Sequence, residues 1–369
     1  MTATGGRVTL RDVADVVGVT PAAVSMALRG NPRIGKDTAA RIQVAARELG
    51  YVTNSAGRAL RAKRSGSIAL VVPNTSQHVF GHAYFMHLMV GVSTICDAHG
   101  APLIISTSVE EEHGVTAYER LLRSQVADGA IVASAAVEDR DLAALVDSGL
   151  PVVLIGRTPT LPGSVWVGID DVEGARVATR HLLEAHGVTR VAHISGPLDH
   201  QSALDRLEGC RDALATAGAP APLVFQGDYS EESGVRAARE LLASGEPVDA
   251  IFAANDEMAF GAMCELRRGG LTVPTDLKVM GFDDFGLARL TTPGISTVRV
   301  PAEENGRQAA LLLFDLLAGA APTSRGVTLP VSLALRESCG CTTTEGATSD
   351  HRNPTQYTSQ GSTPQRRVQ

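Results

Sequence analysis

Residues 8–64, VTLRDVADVVGVTPAAVSMALRGNPRIGKDTAARIQVAARELGYVTNSAGRALRAKR, constrain this chain more than any other stretch. Val13, Ala14 and Val17 recur at helical spacing between Leu10 and Val17, which predicts a short amphipathic helix. Gly18 supplies a turn and Thr20 a helix N-cap. Pro21 then falls at a first helical position, where its missing N–H costs nothing. Val24, Ala27 and Leu28 repeat at i, i+3, i+4, and a third helix and a small basic helical tail follow. Two short helices meeting at a tight turn make a helix-turn-helix, whose second helix is shaped to lie in the major groove of DNA.

Charge sets this segment apart. Residues 1–65 hold 11 Lys/Arg and 4 Asp/Glu, a net of +7, whereas residues 66–369 carry −14 of a chain whose total is −7. Basic side chains set against phosphates release counterions and give affinity that falls with salt. The acidic remainder excludes general coating of nucleic acid by the whole chain. The plain alternative is a basic solvated face on an ordinary globular domain.

At 369 residues and 44% hydrophobic content the chain can bury two or three cores. Its five cysteines (Cys96, Cys210, Cys264, Cys339 and Cys341) are sparse, odd in number and scattered, which suits a reducing cytoplasm better than a disulfide framework. Cys339-Gly-Cys341 has the chemistry for a soft metal, but two thiols without nearby partners make a weak site; no metal and no cofactor are expected. The opening MTATGGRVTL lacks the apolar run of a secretory signal, and no stretch of about 18 apolar residues offers a membrane span.

From Ser67 onward, short apolar runs alternate with amphipathic helical stretches. Residues 67–73, 101–107, 129–134 and 151–156 read as buried parallel strands, with helices over 118–125 and 139–148 among the connections. A second series lies at 190–196, 222–228, 250–256 and 277–284. Alternating β and α in two series predicts a doubly wound α/β architecture in two lobes. Ligands in such sheets bind beyond the carboxyl ends of strands, which singles out Arg157, Asn255, Asp256, Asp283 and Asp284. The tail after Cys341 is rich in Thr, Ser, Gln, Gly and Pro and has almost nothing apolar, so disorder is expected over 341–369.

The motifs VTLRDVADVVGVT with VSMAL, RELGYVTN with RALR, and AANDEMAFG, VMGFDDF and LPVSLALRES, in this order, resemble the lactose-repressor/galactose-repressor (LacI/GalR) family of transcription regulators from about Val8 to Cys339. The resemblance implies a helix-turn-helix domain over 7–53 and a hinge helix and linker over 54–65. It further implies an effector-binding and dimerisation domain over 66–340 that looks like a periplasmic sugar-binding protein. Within that domain the N-lobe would cover about 66–168 and 296–325, and the C-lobe about 169–295 and 326–340.

Carried over residue by residue, the resemblance places Pro21, Ala22 and Met26 at base-reading positions, although none of them can make a bidentate pair with a base. Thr9, Arg11, Ser25, Arg29, Arg33 and Asn54 become phosphate anchors, and Thr20, Tyr51 and Arg58 join the DNA-binding set. Leu60 matches a lever leucine that wedges between central base pairs and kinks the duplex. Gly57, where the family often has alanine, weakens a short hinge helix by roughly 1 kcal/mol, so that the helix forms only when paired on DNA.

In the body, Arg206, Asn255 and Asp283 match the effector-contacting trio, with donors and acceptors suited to sugar hydroxyls. Tyr229 matches an aromatic that stacks on a sugar face. Arg157, His200, Ser202 and Asp170 form a second tier, while Asp256 and Asp284 are expected to brace turns. One departure is about five extra residues between PNTS (73–76) and YFMHLMVG (84–91), where the sequence QHVFGHAYFMH brings His78, His82 and His87 toward the cleft mouth.

The expected function is a cytoplasmic, homodimeric repressor whose affinity for double-stranded operator DNA is controlled by a small ligand, expected to be a sugar. A purine effector, co-repression and activation stay open. A solute-binding protein shares the two-lobed body but has no use for the basic head. An enzyme would need a nucleophile or acid–base pair with an activating neighbour, and G-x-S-x-G, P-loop and H-E-x-x-H signatures are absent from the sequence.

Overall fold

A computed structural model describes residues 8–28, 30–51, 65–108, 116–322 and 324–342. The head contains α1 (Leu10–Val17), α2 (Pro21–Leu28) and α3 (Lys36–Glu48). Gly18 ends α1 in the left-handed region at φ 76°, which turns the chain sharply enough to start α2 three residues later. Val13, Ala14, Val17, Val24, Ala27, Ile42, Ala45 and Ala46 form the buried core that the helical spacing requires. Arg41 fastens the unit by donating to the Val17 carbonyl at 2.9 Å, satisfying an orphan acceptor at the end of α1.

The body is built on two six-stranded sheets. The first comprises β1 (Ile68–Thr75), β2 (Leu103–Ser108), β3 (Gly129–Ala133), β4 (Val152–Ile155), β5 (Val165–Ile169) and, from far along the chain, β11 (Gly326–Leu329). Its order is β11-β5-β4-β3-β1-β2, with every pairing parallel. The second comprises β6 (Val191–Ser195), β7 (Leu223–Gln226), β8 (Ala250–Ala253), β9 (Lys278–Asp283), β10 (Ser296–Arg299) and β12 (Ser332–Ala334). Its order is β12-β10-β9-β8-β6-β7, parallel except for the antiparallel β10–β12 pair. β3, β6 and β8 are buried along their whole length, which explains their continuous apolar runs.

Helices cover the sheets. In the first lobe these are α4 (Ser76–Gly81), α5 (Ala83–Ala98), α6 (Ala117–Ser124), α7 (Arg140–Asp147) and α13 (Ala302–Leu317). In the second they are α8 (Asp171–His186), α9 (Gln201–Thr216), α10 (Glu231–Ser244), α11 (Asp256–Arg268) and the short α12 (Leu287–Leu290). A 3-10 turn, Glu337–Cys339, closes the described chain against β9 and β10.

The lobe boundaries differ from expectation. β10 belongs to the second sheet and β11 to the first, so the chain changes lobes after β5, after β10 and after β11. The expected returns at 296 and 326 each fall one strand too early. Both strands are only four residues long, too short for a periodic signal to reveal which sheet they join.

Candidate functional site

The carboxyl ends of both sheets face a shared cleft, where the fold gathers residues that are far apart in sequence. Arg206, on α9, is the central cation. Its Nε donates to Asp171 Oδ1 at 2.8 Å, its Nη1 donates to the Ala254 carbonyl at 2.5 Å, and its guanidinium lies 3.8 Å over the Phe282 ring. Asp283, at the end of β9, approaches Nη1 only to 3.9 Å. Asn255 caps α11, accepting from Met258 N at 2.9 Å, while its amide donates to the Tyr229 carbonyl at 2.8 Å and to Glu257 Oε2 at 2.9 Å. Arg206, Asn255 and Asp283 are 8%, 3% and 7% exposed, so these polar groups are held out of water with little room to rearrange.

The electrostatics follow from that burial. Burial pushes Asp283 well above the usual carboxylate range, with Arg206 opposing the shift. Asp171 is raised for the same reason, against the pull of Arg206. Burial also raises Glu257. For Arg206 burial disfavours the charge, but Asp171, Tyr229 and Asp283 more than restore it, so the guanidinium stays protonated. The cleft therefore offers one fixed fork of donors beside carboxyls that can accept or donate, a pattern suited to a polyhydroxylated ligand.

Backbone strain marks the same place. Ser134 (φ 59°), Tyr229 (φ 70°) and Asp283 (φ 121°) line the cleft in the left-handed region that non-glycine residues avoid, and Asp284 (φ 65°) follows directly.

The expected site residues separate into groups. Arg206, Asn255, Asp283, Tyr229, Arg157, His200 and Ser202 all line the cleft. Tyr229 is held by its hydroxyl, 3.2 Å from Ser202 Oγ. Arg157 is engaged by Asp205, and His200 by Asp199. Asp170, expected in the effector site, is instead an exposed N-cap of α8 that accepts from Glu173 N at 2.9 Å, and its neighbour Asp171 faces the cleft. Asp284 braces its turn by pairing with Arg299 at 2.8 Å and Arg336 at 2.6 Å. Asp256 accepts from Asp284 N at 2.8 Å.

Residues that the sequence did not single out include Asp171, Asp205, Glu257, Tyr84 and Asn305. Asp171 was within reach, because it follows β5 at a carboxyl end, but β5 itself went unrecognised in the sequence. The extra loop folds as α4, running to Gly81. His78 and His82 line the cleft with ring centroids 4.3 Å apart, and burial, aided by His82, drives His78 down to about 4. His87 stacks instead on Phe285 at 4.9 Å.

In the head, Pro21 and Ala22 are exposed at the start of α2, with Ser25 and Met26 half-buried behind them. Arg11 and Arg33 are exposed. Thr9 completes a capping box with Asp12, and Thr20 Oγ1 accepts from Ala23 N at 3.2 Å, so both hydroxyls also hold helix starts. Tyr51 packs against the head core. Arg29, Asn54, Gly57, Arg58 and Leu60 lie outside the described residues.

Residues 9–54 match the model for bacterial regulatory proteins of the lacI family, and residues 179–339 that for a periplasmic binding protein-like domain. The HTH-type transcriptional regulator CelR of Thermobifida fusca is 36% identical across 90% of this chain and 98% of its own length. The chain belongs to the lacI family of bacterial regulatory proteins. Another lacI-family relative, the transcriptional regulator GalR of Escherichia coli, is 34% identical across 84% of this chain and 89% of its own. The solved CelR–cellobiose complex superposes with a TM-score of 0.70 at 35% identity, over 90% of this chain and all of that one. The lac repressor dimer bound to operator and an anti-inducer reaches 0.78 at 28% identity, over 90% and 99%. A helix-turn-helix head on a two-lobed α/β body is thus the shared architecture, and the protein is a DNA-binding transcription regulator.

Proposed function

We propose that this regulator is a homodimeric repressor, without enzymatic activity, that acts in the cytoplasm and joins the nucleoid when it sits on its operator. Its effector is a sugar bound by Arg206, Asn255 and Asp283. The observation that carries this reading is the convergence of those three buried side chains in a cleft between lobes, in the same chain as a DNA-reading head. A planar fork, an amide and an acceptor at adjacent positions match neighbouring hydroxyls. The relative solved with cellobiose supports the ligand class.

Twofold symmetry of the dimer would be mirrored in a pseudopalindromic operator of roughly 14–20 base pairs. Residues 54–65 would form paired hinge helices in the minor groove. Effector binding closes the lobes, separates those helices and lowers operator affinity. The ligand must then prefer the DNA-free state, and operator must weaken the ligand by the same factor.

The test is a thermal-shift panel of mono- and disaccharides, sugar phosphates and purines, followed by operator titrations with and without each hit. A native-state ligand raises the melting temperature by mass action. The expected result is stabilisation by a saccharide that also weakens operator binding, with Asp283→Ala abolishing the response but retaining operator affinity. Stabilisation by purines alone would overturn the sugar assignment, and tighter operator binding with ligand would make the protein a co-repressor system.

A further inference from the structure

Cys339 and Cys341 were expected to lack partners, but the fold supplies two. α8 ends at His186, and its last turns bring His181 and His186 against the Cys339-Gly340-Cys341 segment that follows β12. His181 Nε2 lies 3.2 Å from His186 Nε2, 3.4 Å from Cys341 Sγ and 3.7 Å from Cys339 Sγ. His186 Nε2 lies 3.5 Å from Cys341 Sγ, and all four atoms fall within 4.8 Å of one another.

Those four distances match four of the six edges of a small tetrahedron. Metal–sulfur bonds of about 2.3 Å and metal–nitrogen bonds of about 2.0–2.1 Å at tetrahedral angles require N···N edges of about 3.3 Å and N···S edges of about 3.6 Å. We propose that His181, His186, Cys339 and Cys341 form a structural zinc site that fastens the end of the two-lobed domain to α8.

The surroundings suit that role. Two thiolates balance the charge of a divalent ion, two imidazoles complete the coordination, and sulfur with nitrogen in a tetrahedral set selects zinc over the hard cations. All four positions are taken by protein side chains, as in structural sites and unlike catalytic ones, which keep one open for water. Gly340 makes the geometry possible: at φ 98° it turns the chain so that both thiols meet the imidazoles. Ser296 Oγ lies 3.0 Å from Cys339 Sγ and holds it from behind. The staple also reaches the cleft, since α8 begins at Asp171, the partner of Arg206.

The experiment uses the full chain purified under reducing conditions, with total zinc measured against protein. One zinc per chain is expected, and Cys341→Ser and His186→Ala, both at partly exposed positions, should each bring the ratio close to zero. Cys96→Ser, which alters a buried thiol of the other lobe, should leave it at one. Cobalt replacing zinc in the unmodified chain should show a thiolate-to-metal charge-transfer band and the intense visible bands of tetrahedral cobalt, independently of how any variant folds. Reduced, folded chain that takes up neither zinc nor cobalt stoichiometrically would overturn the proposal. So would a cobalt spectrum lacking the thiolate band, or full zinc retention by both site variants.

Discussion

Arg157 and Asp205 bridge the two lobes with a two-pronged ion pair, Nη2 to Oδ1 at 2.8 Å and Nε to Oδ2 at 3.2 Å. Gln201 steadies the acceptor by donating to Asp205 Oδ1 at 2.6 Å. Arg157 stands at the end of β4 and Asp205 on α9, so the pair can exist only while the lobes are close. The Arg157 side chain is 49% exposed, which limits such a pair to about 1 kcal/mol. Arg157→Gln should therefore weaken effector binding by about fivefold in titration calorimetry, and Asp205→Asn should match it. Arg157→Lys should recover only part, because lysine has no planar fork. If Asp205→Asn left affinity unchanged while Arg157→Gln lowered it, Arg157 would be a ligand contact and not a latch.

The first lobe depends on backbone approach between α5 and α13. A Cβ on Gly306 would run into the Leu88 carbonyl, and one on Gly91 into the Glu303 carbonyl. Backbone cannot yield as a flexible side chain does, so Gly306→Val should cost about 1–3 kcal/mol or more. The melting temperature should fall by about 2–4 °C for each kcal/mol. Scanning calorimetry of Gly306→Val and Gly91→Val reads this directly; unaltered melting in both would mean that the helices separate at no cost.

Legibility in the sequence followed the strength of the periodic signal. Val13, Ala14, Val17, Val24 and Ala27 fell into the head core because three short helices have to bury the same stripe. All eight runs read as apolar are strands; β3, β6 and β8 are buried on both faces and carry continuous hydrophobic sequence, whereas the edge strands β2 and β7 are only partly covered. β5, β10, β11 and β12 escaped because Gly168, Ser296, Thr297, Thr328 and Ser332 interrupt their apolar runs, and with them went Asp171 and the true crossovers. Of the four zinc-ligand candidates, Cys339 and Cys341 stood out as a thiol pair, but their partners His181 and His186 did not, for another reason. His181 and Cys341 are separated by 160 positions, and only the return of the chain to the second sheet brings them together.

Asp256 gives the second lobe a pH dependence. It is buried at the start of α11, and burial raises its pKa from 3.8 to about 8. A raised carboxyl binds a proton more tightly in the folded state, so its contribution is complete below the unfolded value. It is lost as pH rises through the interval from about 4 to about 8. Urea midpoints should thus decline between about pH 5 and about pH 8, and Asp256→Asn, which keeps an acceptor for the Asp284 N–H, should flatten the decline. An unchanged slope in the variant would assign the dependence to other groups.

The head offers a separation between charge and shape. Arg33 is exposed on the helix-turn-helix, where its guanidinium can meet a phosphate but carries no base information. Arg33→Ala should weaken specific and random DNA alike and reduce the salt slope by about one. Leu60, as the proposed wedge, acts only where the duplex is kinked at the operator centre, and unstacking there is repaid by contacts that random DNA does not form. Leu60→Ala should cost more than about 2 kcal/mol on the operator, leaving nonspecific affinity and the salt slope nearly intact. Titrations of both variants over several salt concentrations, on operator and on scrambled duplex, read all four quantities together. Parallel loss on both duplexes for Leu60→Ala would remove the wedge and leave Leu60 as a packing residue.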